Sequence, residues 1–316
     1  MKVLVSGASG LIGRELAPAL SALGHHIIRL VRSNSASPSE LPFNAACVEP
    51  SRDFVRRMDD ASPDVVIHLA GENIARRRWS EDQKKRIHNS RINSTLMLTK
   101  AFERMKQPPT RFIVASAIGI YGDRGDELLT EASPTGFDFL ATVCKEWEAT
   151  SHKAEALNVQ VTNLRFGIIL SRRGGALAMM LPGFQMFMGA RLGTGQQWMS
   201  WISLTDVIHA IRWLLESNSV HGPINLVAPN PVRNEEFTRT LARQLKRPAF
   251  VRAPALVLKA ALGEMSTMLL SSQRVSCARL QAAGFQFKHP DLSMALEAEL
   301  GLLAREPSVS GLAQAI

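Results

Sequence analysis

Within thirteen residues the chain passes from a short apolar run, Val3-Leu4-Val5, into three glycines, Gly7, Gly10 and Gly13, spaced Gly-x-x-Gly-x-x-Gly. Leu11, Ile12, Leu16, Leu20 and Leu23 then recur at helical intervals, so the glycines separate a predicted strand from a predicted helix over 11–23. Glycine lets the backbone turn tightly and approach a pyrophosphate, whose charge a helix N-terminus favours. The same spacing also fits a plain strand–loop–helix unit, so its context carries the argument.

That context is an alternation of strand and helix. Strands are expected over 26–32, 64–70, 111–116 and 159–164, the middle two as nearly continuous apolar runs of the kind buried on both faces. Helices are expected over 81–106 and 137–156, and 33–40, rich in Ser and Pro, reads as a loop. The economical fold is α/β: a Rossmann-type, doubly wound parallel sheet. Beyond about residue 170 the alternation loosens into Gly- and Met-rich sequence. Helices near 204–217 and after Asn234, Ala255 and Leu292, with a short strand near 224–227, suggest a smaller C-terminal α/β lid. The division expected is 1–170 for the nucleotide-binding domain, also receiving later segments, and 171–316 for the substrate-binding lid.

The 316 residues, 46% of them hydrophobic, can bury one large core or two smaller ones. No run of about 18 apolar residues is present to span a bilayer, and no leader pattern opens the chain, so a soluble cytoplasmic protein without a membrane partner is expected. Cys47, Cys144 and Cys277 match neither a disulfide framework nor a metal spacing. The eight histidines show no ligand spacing either, so no metal is expected, and His68 reads as a satisfied strand residue. The net charge of +9 is concentrated: from Glu72 to Arg91 seven basic residues face three acidic ones. Such a stretch is either a solvated helix face or an electropositive rim for a phosphorylated cofactor or an anionic small-molecule substrate. Nucleic acid is not expected, because no recognition motif accompanies it. Nothing in the pattern announces an oligomer interface.

In dinucleotide folds an acidic residue after the second strand binds the adenosine ribose, whereas arginine there accommodates a 2′-phosphate. No Asp or Glu occurs from Leu16 to Ser39, while Arg29 and Arg32 do. NADP is therefore favoured over NAD, with Arg32 as a merely solvated charge the alternative. Asp206, with Thr205, reads as a helix-start residue that caps or orients the following helix. Met179, Met180, Met186 and Met188 fill a core or line an adaptable apolar pocket.

The glycine pattern, His68-Leu-Ala-Gly-Glu72 and Ser116-Ala-Ile-Gly-Ile-Tyr121-Gly122 together resemble the extended short-chain dehydrogenase/reductases. More narrowly, Gly71-Glu-Asn-Ile, Arg78-Trp-Ser, Trp147-Glu148, Arg165-Phe-Gly-Ile-Ile-Leu-Ser, Ser200-Trp-Ile-Ser-Leu-Thr-Asp206, Ala228-Pro-Asn-Pro-Val-Arg-Asn234 and Gln273-Arg274 are similar to an atypical, nucleoside-diphosphate-sugar epimerase-like branch. The resemblance implies that Gly7, Ser9, Gly10, Leu11, Ile12 and Gly13 hold the pyrophosphate and Arg32 the 2′-phosphate. It places Leu69, Ala70 and Gly71 beside the adenine and ribose, has Arg91 reach the cofactor, and sets Gly167, Ile168 and Ile169 beside the nicotinamide. Typical members add a serine that polarises the substrate oxygen and a Tyr-x-x-x-Lys pair whose ammonium lowers the phenol pKa. Here the single tyrosine is Tyr121, with Gly125 four residues later, while Lys145 follows Ala141. Ser116, Tyr121 and Lys145 remain the catalytic candidates, with Glu72 or a substrate hydroxyl as another proton source. The implied activity is hydride exchange on a small carbonyl or hydroxyl compound, by an NADP(H)-dependent epimerase or reductase. The alternative is a catalytically silent NADP(H)-binding protein that senses redox state or changes partners.

Overall fold

The structure, a computed structural model, describes residues 1–32, 37, 39–217 and 220–302. Of the expected loop over 33–40, positions 33–36 and 38 lie outside the described residues.

Seven parallel strands form the central sheet: β1 (Lys2–Ser6), β2 (His26–Val31), β3 (Glu40–Pro42), β4 (Val65–His68), β5 (Arg111–Ala117), β6 (Gln160–Phe166) and β7 (Gly222–Leu226). Their order is β7-β6-β5-β4-β1-β2-β3, so the connections wind outward in both directions from β1 and β4. Every residue of β4 is buried, as its unbroken apolar run requires when helices cover both faces. The helices of eight residues or more among the described residues are α1 (Leu11–Ser21), α2 (Arg52–Ala61), α3 (Glu81–Arg104), α4 (Phe139–Ser151), α5 (Gly175–Gln185), α6 (Leu204–Glu216), α7 (Asn234–Gln244), α8 (Ala255–Leu262) and α9 (Leu292–Leu300). α1 packs beside α6, while α3 packs between α2 and α4.

One helix boundary differs from expectation. The helix predicted over 137–156 starts at the Asp138 cap, whose carboxylate accepts from Ala141 N at 2.8 Å, and ends in the 3-10 turn His152–Leu157. After residue 170, α6 and β7 return the chain to the main sheet. Arg111, buried at the start of β5, ties that return in place by donating to Leu215 O at 3.2 Å and Leu214 O at 2.5 Å, the carbonyls at the α6 C-terminus. The remaining late segments build a second core around Leu177, Phe184, Trp201, Phe237, Leu241 and Leu296.

Asp206 is not the cap of α6. Ser203 is, accepting from Asp206 N, while the buried Asp206 carboxylate accepts from Lys288 N at 2.7 Å and His289 N at 3.0 Å. No helix among the described residues is long and apolar enough to cross a membrane.

Candidate cofactor site and the polar edge of the sheet

A cleft of about 1230 Å³ opens at the carboxyl ends of β1, β2 and β4. Gly7, Ser9, Gly10 and Gly13 line it, with Arg32 on the β2 side and Leu69, Ala70 and Gly71 on the β4 side. Gly7 has φ +70°, and a Cβ there would lie 2.8 Å from the Leu69 carbonyl. A Cβ on Gly13 would come within 2.3 Å of Gly7 O, so this glycine lets α1 pack on the turn before it. Gly10 caps α1 without a side-chain hydrogen bond, and the first turn of α1 carries no acidic residue. Its N–H groups are thus presented to an anion.

Not every expected residue reaches the cleft wall. Leu11 packs toward Gly174, where a Cβ would meet its Cδ1 at 3.2 Å. Ile12 and Ile169 pack against the main hydrophobic core. Arg76 of the basic stretch and Asn73 also line the cleft, as do two residues that no sequence signal marked, Arg14 and Glu40. Glu40 lies one position beyond the acid-free stretch, and Arg29 pairs with it at 2.8 Å. Arg14, Arg32 and Arg76 make no ion pair among the described residues and outnumber Glu72, the other carboxylate of the lining, so the wall carries net positive charge.

The 69–71 segment is fixed from behind by His68. Ser6 Oγ donates to His68 Nδ1 at 2.5 Å and accepts from Leu69 N and Ala70 N. Ser94 Oγ donates to Ser90 O at 2.6 Å, so the His68 Nε2–H donates to Ser94 Oγ at 3.0 Å. This order holds the imidazole neutral. Burial, with Arg91 adding to it, lowers the His68 pKa to about 3.

The catalytic candidates are placed otherwise than expected. Ser116 is the next-to-last residue of β5, but its hydroxyl donates to Glu148 Oε1 at 2.6 Å, so that proton is not offered to a substrate carbonyl. Glu148 in turn forms a bidentate pair with Arg165, at 2.9 and 2.8 Å, with both side chains buried. Tyr121 is fully buried: its hydroxyl donates to Asn225 Oδ1 at 2.5 Å and accepts from Arg165 Nη1 at 2.9 Å. Burial pushes the phenol up, and Arg165 opposes it only in part. Tyr121 is therefore a packed network member rather than an acid at the cleft. Lys145 is exposed on the outer face of α4, whereas Ala141, Cys144 and Glu148 face inward. The structure does not bring it to Ser116. Glu72 lines the cleft and contributes its carbonyl to Arg91. No cluster of metal ligands occurs among the described residues.

A doubly wound parallel sheet with a glycine turn under an open helix N-terminus defines a nucleotide-binding α/β protein of Rossmann type. The chain belongs to the NAD dependent epimerase/dehydratase family, whose model matches residues 3–227; a second model, described only as a domain of unknown function, matches 253–299. An epimerase family protein of Mycobacterium leprae is 38% identical over 295 residues, covering 93% of this chain and 94% of its own. The Arabidopsis thaliana protein named epimerase family protein SDR39U1 homolog, chloroplastic, is 40% identical over 303 residues, covering 94% and 86%. Among solved structures, human epimerase family protein SDR39U1 with NADPH superposes with a TM-score of 0.84 at 33% identity, covering 96% of this chain and 100% of its own. The fold is that of the extended short-chain dehydrogenase/reductases, and the family is one of NAD(P)-dependent oxidoreductases and epimerases.

Proposed function

We propose that this chain is an NADP(H)-dependent oxidoreductase or epimerase acting on a small carbonyl or hydroxyl compound. The observation that carries the cofactor choice is the charge of the cleft wall: Arg14, Arg32 and Arg76 are free of ion pairs among the described residues, and Arg29 neutralises Glu40. A ribose 2′-phosphate matches that wall, whereas NAD offers the arginines no anion beyond the pyrophosphate. The cradle fits such a cofactor, since side chains at Gly7 or Gly13 would strike backbone. The human relative's NADPH supports the same reading.

When bound, the nicotinamide supplies or accepts the hydride. The chain's part is to bind and orient: the α1 N-terminus takes the pyrophosphate, Arg32 faces the 2′-phosphate, and His68 fixes the 69–71 wall through Ser6. Ser116, its proton held by Glu148, has only acceptor capacity left for a substrate hydroxyl. An anionic substrate is favoured by the basic rim.

Fluorescence titration of NADPH and NADH against the parent and Arg32→Ala tests the cofactor choice. The expected result is preference for NADPH in the parent, eroded at least about tenfold in the variant; equal affinities in the parent sink the reading. The buried Tyr121 and outward Lys145 favour one second reading, a silent NADP(H)-binding redox sensor. It gains if bound NADPH is never consumed across a broad carbonyl panel, and steady turnover defeats it.

A further inference from the structure

Arg91 carries a largely enclosed positive charge that makes no ion pair among the described residues; the Glu72 carboxylate favours it from a distance. It leaves α3 toward the strand ends, where Nη1 donates to Glu72 O at 3.1 Å and Ile87 O at 3.0 Å. Its guanidinium stands 3.2 Å from where a Gly71 Cβ would be and 5.1 Å from the Trp147 ring centroid. Trp147 is held in that orientation by donating to Thr95 Oγ1 at 2.9 Å. Arg91 makes no ion pair among the described residues, and the buried carboxylate of this edge, Glu148, is taken by Arg165. Of its titratable neighbours, His68 and Cys144 stay neutral, the Cys144 thiol being pushed up to about 12 by burial, and Glu72 is the one carboxylate that acts on it. Nε and Nη2 donate to no described group, yet neither is among the sealed, unpartnered nitrogens, so that edge of the fork retains open surface.

We propose that Arg91 is the fixed cation of the reaction site, holding negative charge on the substrate oxygen between the ends of β4 and β5; this rests on the nicotinamide-dependent reading above. The placement follows from the sheet order. Arg32 at the end of β2 marks the adenosine side of β1, so the cofactor's other end lies across β1, toward β4 and β5. Gly71, against which Arg91 packs, is in the cleft wall there, and the Cys144 thiol meets the backbone of Ala117 at the end of β5. A carbonyl that gains a hydride at carbon moves its C=O electron pair onto oxygen, and a hydroxyl oxidised there first surrenders its proton. The alkoxide made by reduction is negative until water protonates it, and the alkoxide made when water takes the hydroxyl proton is negative until its hydride leaves for the nicotinamide. A guanidinium stays protonated throughout and so stabilises charge without acting as the acid. A preset cation in a desolvated site does this at no cost of reorganisation. It supplies electrostatically part of what the missing Tyr-x-x-x-Lys pair would have done by proton transfer.

Sulfite tests the assignment, because its sulfur lone pair bonds to C4 of oxidised nicotinamide, neutralises the ring and leaves an anionic sulfonate beside that carbon. Adduct formation is followed by dihydropyridine absorbance, and NADP⁺ affinity is measured separately. The parent protein is expected to strengthen sulfite addition at least about tenfold over free NADP⁺. Arg91→Met, compared with the parent at saturating NADP⁺, should abolish that gain. Arg91→Lys should keep part of it, and it serves as the variant should the methionine protein fail to fold. Bound NADP⁺ with sulfite addition at the free-cofactor level, or an enhancement that survives Arg91→Met, overturns the assignment alone. No NADP⁺ binding at all overturns it together with the proposed function.

Discussion

At the scale of single residues, the glycines of the first turn differ in what they contribute. A Cβ at Gly13 would strike Gly7 O and the Ala8 backbone at 2.3 and 2.5 Å, whereas one at Gly10 meets only Gly7 O, at 3.2 Å. Gly13→Ala should therefore cost about 1–3 kcal/mol of stability through forced overpacking. Gly10→Val should leave folding nearly intact and abolish NADPH binding by filling the anion cradle. Paired urea unfolding and cofactor titration check both, and a Gly13→Ala protein as stable as its parent refutes the packing account. His68 gives a prediction in pH. Its folded pKa of about 3 lies below the ordinary 6.5, so the unfolded chain takes up the proton first. The contribution of His68 is fully present above pH 6.5 and is lost as pH falls toward 3, at about 1.4 kcal/mol per unit. His68→Asn should flatten this part of the stability–pH curve; an unchanged slope would show that other groups carry it.

At the scale of elements, the ends of β5, β6 and β7 are joined to α4 by Ser116, Glu148, Arg165, Tyr121 and Asn225. Removing one charge of the Glu148–Arg165 pair strands the other in the interior. Glu148→Gln or Arg165→Met should each destabilise by about 3–5 kcal/mol, and the double change to Leu and Met by less than the sum. Denaturant unfolding of the cycle measures the coupling, and strict additivity would contradict it. Local pattern revealed the strands, because β4 and β5 are apolar runs, and it revealed the glycine cradle, because Gly7 to Gly13 are contiguous. It could not reveal this network. Glu148 and Arg165 stand 17 residues apart on different elements, and nothing periodic records a pairing across a sheet. The same blindness misplaced Lys145, which differs from Cys144 by one residue of helix and therefore by about a quarter-turn, from inside to outside. Arg32 was legible because it directly follows a strand, and Arg76 because it belongs to a basic stretch; Arg14 was not, since its relation to the cleft depends on how α1 packs beside it.

At the scale of the whole molecule, the nucleotide-binding layer and the later segments are one interleaved body rather than successive domains. The chain leaves the sheet after β6, re-enters through α6 and β7, and leaves again, so the C-terminal segment must be tied back over a long sequence distance. Asp206 is that tie. Its buried carboxylate accepts two backbone N–H groups from the segment leading into α9 and the Ser203 hydroxyl, while His289 Nδ1 stands 3.8 Å away. Charge-assisted hydrogen bonds of this kind are worth about 1.5–3 kcal/mol each, and a buried N–H left without a partner loses the full desolvation cost. Asp206→Ala should thus unfasten the approach to α9 before it unfolds the sheet, because β1, β4 and β5 do not depend on that contact. Hydrogen exchange should show the amides of Lys288 and His289 and the first turn of α9 losing protection by at least about tenfold, with the β4 and β5 amides slowed as in the parent. Uniform loss of protection across the sheet would mean that the two cores fold as a single cooperative unit, and unchanged protection at Lys288 and His289 would mean that Asp206 is not what holds them.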